Sequence, residues 1–111
     1  MTESPIDRLV FDELQDAMGS DFVEELVTTF LDEAPGMMAE LKSAAESGEQ
    51  DTFRRAAHSL KSNANIFGAH ELAELARQME ISGLEPEPAQ IDILNAEFKR
   101  TATTLKDLLD E

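Results

Sequence analysis

Arg54, Arg55 and Lys61 fall within eight residues and bracket His58. Placed on a helix at about 100° per residue, Phe53, Ala56, Ala57, Leu60, Ala64 and Phe67 gather on one side as a core stripe. His58 falls on the opposite side, sharing its face with Arg54, Lys61, Ser62 and Asn65, with Arg55 at the margin. An imidazole fixed on a rigid helix away from the core is accessible, constant in direction and nucleophilic when neutral. Cations beside it disfavour a further positive charge on the ring, and they stabilise an anionic group attached to it, such as a phosphoryl. Ser62, one turn beyond His58, leaves space over the ring for a partner. The same residues also admit a plainer reading, in which His58 is a solvated surface histidine and the arginines pair with nearby acids.

The other histidine, His70, lies twelve residues further on and beyond Gly68. That is not a metal-ligand spacing, so a metal or hydrolytic site built on the pair is disfavoured. His70 is expected to be solvated in the first turn of its helix. The absence of cysteine removes disulfides and thiolate metal sites. No glycine-rich phosphate loop, nucleotide-binding pattern or Mg²⁺ carboxylate cluster can be placed. The expectation is a chain with no metal, no cofactor and no catalytic site of its own.

Those residues need a scaffold. A chain of 111 residues, 41% of them hydrophobic, suits one domain (1–111) with one core. The formal charge of -15, from 24 acids against 9 bases, argues against nucleic acid and anionic membranes as partners. No apolar run approaches the roughly 18–20 residues that cross a bilayer. The stretch Met1 to Val10 contains Glu3 and Asp7 and lacks the apolar region of a signal peptide. A cytoplasmic monomer is expected.

Five helical segments follow from apolar periodicity and stop signals. The first covers about Asp7 to Met18, with Leu9, Val10, Leu14 and Met18 as its apolar members, and ends at Gly19. The second starts near Asp21, where Asp21 and Glu24 form a capping-box-like signal. Its stripe is Val23, Leu26, Val27, Phe30, Ala34, Met37, Met38, Leu41 and Ala45. Pro35 predicts a kink rather than a stop, because the stripe resumes in phase beyond it. Gly48 closes that helix. The third runs from about Asp51 to Phe67 with Gly68 as its stop. The fourth spans Ala69 to Ser82, with Leu72, Leu75, Ala76 and Met79 inward and Gly83 closing it. A turn over Gly83 to Pro88 places Pro88 in the first turn of the last helix, whose seam is Ile91, Leu94, Phe98, Ala102, Leu105 and Leu109. Short connections between long helices predict an all-α, antiparallel up-and-down four-helix bundle with a short extra N-terminal helix.

The string Ala57-His58-Ser59-Leu60-Lys61-Ser62-Asn63-Ala64-Asn65-Ile66-Phe67-Gly68-Ala69 resembles the signature of histidine-containing phosphotransfer (HPt) domains. That signature runs His, any residue, Leu, Lys, a glycine, then small residues leading to Gly-Ala or Gly-Leu. Phe30, Pro35 and Leu41 resemble the family's second helix, and Leu72, Leu75 and Glu80 its fourth. Ser62 stands where the family usually has glycine, and as the next smallest option at an exposed position it reads as a tolerated variant. The resemblance implies that His58 is the phosphoacceptor through its ε nitrogen, and that Lys61 and Arg54 meet the phosphoryl oxygens. It implies that Glu80 accepts the other ring N–H and orients the imidazole, although an ordinary surface acid is equally compatible with that position. Arg55, Ser62, Asn65 and Ile66 are candidates for partner docking, with Ile66 also open to a peripheral core role. The implied partners are response-regulator receiver domains, which bring their own Mg²⁺ and acceptor aspartate, and a hybrid sensor histidine kinase. The rival reading is a helical adaptor that carries no phosphoryl group.

Overall fold

In the computed structural model, which describes residues 4–82 and 88–110, the chain forms five α-helices and no strand occurs among the described residues. The helices are α1 (Arg8–Met18), α2 (Ser20–Ser47), α3 (Gln50–Ile66), α4 (His70–Ser82) and α5 (Pro88–Leu109). Pro88 is the first residue of α5, as its fixed φ and missing N–H favour. The predicted stop at Gly83 and the turn that follows it lie outside the described residues.

The stripe predicted for α3 is the inner face of the molecule. Phe53, Ala57, Leu60 and Ala64 are fully buried, and Ala56 and Phe67 nearly so. This helix packs mainly on α2 and α4; α5 packs on α4 and α2, and α1 packs on α2. Phe30 of α2 joins three elements, with its ring 5.4 Å from that of Phe67 and 5.9 Å, edge-on, from that of Phe98. Such offset and edge-to-face pairs add to the burial of area itself.

Several local expectations are corrected. Phe11, absent from the predicted apolar face of α1, is its buried anchor, whereas Leu9 and Met18 are 67% and 49% exposed. Leu9 lies roughly 200° around the helix from Phe11, so both cannot face α2. The second helix starts at Ser20 with Gly19 as its N-cap, and no side chain caps it. The predicted capping box at Asp21 and Glu24 is therefore not formed, and Asp21 sits inside the first turn, where an acid favours the helix dipole. The helix continues through Pro35 to Ser47. On α5 the apolar seam is interrupted by buried Thr101 and Glu97. The Thr101 hydroxyl donates to the Glu97 carbonyl at 2.8 Å, and Glu97 Oε1 accepts from Arg100 at 2.8 Å.

The corner between α3 and α4 is where the N-terminal segment is fastened. Gly68 has φ +77°, and a Cβ there would lie 2.8 Å from Val10 Cβ and 3.0 Å from the Asp7 carbonyl oxygen. The Asp7 N–H donates to the Gly68 carbonyl at 2.8 Å. Its carboxylate caps α1 at the Leu9 N–H and meets His70 Nε2 at 3.1 Å. His70 is thus exposed but tethered, not merely solvated. The bond to His70 holds the Asp7 carboxyl below the ordinary aspartate range.

Candidate functional site

His58 projects from the outer face of α3, with 59% of its side chain exposed. Its neighbours on that helix follow the predicted face. Arg54, Arg55, Ser62 and Asn65 are exposed, and Ile66 is 44% exposed, which places it on the surface rather than in the core. Neither Arg54 nor Arg55 takes part in an ion pair among the described residues. These two arginines are therefore not neutralised by nearby acids.

The decisive contact comes from the next helix. Glu80 of α4 sits 2.7 Å through Oε2 from His58 Nδ1, and its Oε1 accepts from Lys61 Nζ at 2.6 Å. One carboxylate thus joins the imidazole to the ammonium one turn further along α3. The Lys61 bond is the main cause, and the His58 bond a further one, that holds the Glu80 carboxyl below the ordinary glutamate range, against the opposing effect of partial burial. A carboxylate so biased is ionised near neutral pH and can only accept. His58 Nδ1 therefore carries the proton, and the lone pair of the neutral ring is on Nε2.

The Lys61–Glu80 bond has no counterpart in the reading of the sequence. The family resemblance aims Lys61 at an incoming anionic group; here it is half-buried and bonded to Glu80. Spacing along α3 could place it beside His58 but carried no signal for its partner on α4. Glu80, the acid that the family resemblance sets near the imidazole, is the residue in contact with His58 Nδ1. Asn63 bonds back to the Ser59 carbonyl at 2.8 Å and takes no part in the cluster.

Chemically the arrangement offers one oriented nucleophilic nitrogen, one ammonium and two arginines not engaged with acids on a solvent-facing surface. Among the described residues no group of three or more His, Cys, Asp or Glu side chains is gathered to hold a metal ion. No helix among them is long and apolar enough to cross a membrane.

Comparison with known proteins agrees with this geometry. Residues 25–111 match the family model of the Hpt domain. The sensor protein TorS of Escherichia coli (strain K12) is 28% identical over 89 residues, which is 80% of this chain and only 9% of TorS. The crystal structure of histidine-containing phosphotransfer protein B (HptB) from Pseudomonas aeruginosa PAO1 superposes with a TM-score of 0.89 at 26% identity, covering 98% of this chain and 97% of that one. The chain belongs to the Hpt domain family.

Proposed function

We propose that this chain is a phosphorelay intermediate that accepts a phosphoryl group on Nε2 of His58 and exchanges it with the aspartate of response-regulator receiver domains. The observation that carries the reading is the 2.7 Å contact between His58 Nδ1 and Glu80, which leaves the Nε2 lone pair for attack on an exposed ring. Lys61 and Arg54 meet the phosphoryl oxygens as charge-assisted donors. Arg55, Ser62, Asn65 and Ile66 form the rim on which the receiver docks, and Glu80 orients the imidazole.

The domain is a carrier. It contributes position and charge, and the receiver contributes its acceptor aspartate and Mg²⁺. A hybrid sensor histidine kinase is the proposed source of the phosphoryl group, in keeping with the similarity to the sensor protein TorS. The chain works as a single cytoplasmic domain, monomeric and without a cofactor. The scaffold is an antiparallel up-and-down four-helix bundle, α2 to α5, with α1 as the short extra helix. The packing of α2 on α3, α3 on α4, α4 on α5 and α5 back on α2 supports that arrangement, as does the two-residue link between α2 and α3.

The test is His58→Gln. The side chain lies outside the core, so the variant folds, with a Tm close to the parent's. It should carry none of the alkali-stable, acid-labile label that a phosphorylated receiver gives to the parent. Label that persists without His58 sinks the assignment.

A further inference from the structure

We infer that the cavity between the N-terminal segment, the start of α4 and α5 is a binding site for a small organic ammonium ion, received by the buried carboxylate of Glu97. The site is separate from His58 and does not depend on the phosphotransfer reading.

Glu97 is only 6% exposed, on a helix whose other buried residues are Leu94, Phe98, Thr101 and Leu105. Its Oε1 accepts from Arg100 at 2.8 Å. Its Oε2 is buried with no hydrogen-bond partner among the described residues. Buried polar atoms in native proteins are almost all paired, so a carboxylate oxygen without a donor points to a group that supplies one. The same side chain lines a cavity of about 750 Å³. One water occupies about 30 Å³ in the liquid, so the space admits an organic ligand and not water alone.

Charge selects the ligand. Glu97, Glu71 and Asp7 line the cavity together with Arg8, Arg100 and His70. Arg8 also bonds Asp12, outside the lining, at 3.1 Å, and Arg100 is engaged with Glu97 itself. The His70 ring meets Asp7 at 3.1 Å. With the imidazole neutral, three carboxylates stand against two guanidiniums, and the whole chain carries -15. An anion is therefore repelled and a monocation attracted. A divalent metal fits poorly, because no three ligating side chains are gathered among the described residues. An ammonium needs only acceptors for its three N–H donors, and bonds from such a cation to a carboxylate are the strong kind. Pro5 and Ile6 of the same lining offer apolar contact to a short alkyl chain. A ligand so held ties α5 to the segment that precedes α1.

The test titrates n-propylammonium chloride into the ¹⁵N-labelled chain at fixed ionic strength, with tetramethylammonium chloride as the control. The control carries the same charge and no N–H donor. Amide shifts of Gly68, His70 and Arg100 should saturate with propylammonium, at a Kd on the order of 1–10 mM for so small a ligand. With tetramethylammonium they should stay small and linear. Glu97→Gln should weaken propylammonium binding by about tenfold or more, the scale of losing one charge-assisted bond. Because that variant also disturbs Arg100, two exposed acids are replaced in parallel, Glu71→Gln in the cavity lining and Glu46→Gln near the end of α2 outside it. Both change the net charge equally. Glu71→Gln should weaken binding severalfold at the parent's Tm, and Glu46→Gln should leave it unchanged. If Glu97→Gln fails to fold, this pair decides, and equal binding by the two variants overturns the inference. Equal, unsaturated responses to the two cations would mean diffuse attraction to a polyanion, and no response at these amides would mean a cavity that holds water alone. Either result overturns the inference, as does undiminished binding in a folded Glu97→Gln.

Discussion

At the scale of single residues, the division of Glu80 between a ring and an ammonium sets what Lys61 can contribute. To reach a phosphoryl oxygen Lys61 must leave a 2.6 Å bond, so its benefit is the difference between two charge-assisted contacts. We therefore expect Lys61→Ala to slow receiver-to-His58 transfer by about tenfold, the low end of the ~1.5–3 kcal/mol that hydrogen bonds to charged groups contribute. Thermal stability should fall by less than about 1 kcal/mol, since a partly exposed pair contributes little. Stopped-flow transfer rates and calorimetry check both, and an unchanged rate would remove Lys61 from the chemistry. The pH sense follows from the depressed Glu80 carboxyl. Its contribution to stability is complete above the ordinary glutamate value of 4.5 and is lost as the pH falls through the lower folded value. The network is therefore whole at neutral pH. Most of this face was legible from one helix: His58 outward, Arg54, Arg55, Ser62 and Asn65 beside it. The Lys61–Glu80 bond was not, because periodicity fixes which face a residue takes and says nothing about distances between helices.

At the scale of elements, the site depends on how α3 is terminated and what is fastened there. Two glycines with nearly equal dihedrals separate the contributions: Gly48 at φ +76° with nothing within 4 Å of an added methyl, and Gly68 at φ +77° against Val10 and Asp7. Gly48→Ala carries only the left-handed backbone penalty, about 1–2 kcal/mol. Gly68→Ala adds the overpacking of Val10, a further ~1–3 kcal/mol. Urea titrations of the two variants should therefore differ by that second amount, and equal losses would mean that α1 yields freely at the corner. Phosphorylation of Gly68→Ala well below its Tm should persist, because His58 lies about 15 Å along α3 from that end. Helix identity and the inner stripes of α2 and α3 were readable because long periodic patterns average over single exceptions. The face of α1 was not, since in so short a helix Leu9 and Phe11 are equally apolar and only packing on α2 chooses between them. Glu97 and Thr101 were hidden for a related reason, as an amphipathic pattern has no signal for a polar residue buried in the seam of α5.

At the scale of the whole molecule, charge is segregated. The chain carries -15 overall, and α2 alone has seven acids against Lys42. On α3 the balance reverses, with Arg54, Arg55 and Lys61 against Asp51. A polyanion with a cationic stripe on α3 orients an acidic partner before contact, because the stripe attracts while the acidic α2 repels. Screening lengths of about 10 Å at 0.1 M salt confine that effect to low ionic strength and close approach. Arg55, exposed and without an ion pair among the described residues, can be reversed without breaking a bond seen in the fold. Arg55→Glu should raise the receiver concentration that half-saturates transfer severalfold at about 50 mM salt, mainly through slower association. The same reversal at Lys42→Glu, on the acidic helix, should change it little. Raising salt should bring parent and Arg55→Glu together, since screened charges no longer steer. A docking surface elsewhere would give Arg55→Glu the parent's salt dependence, and the cationic stripe would then serve only the phosphoryl group at His58.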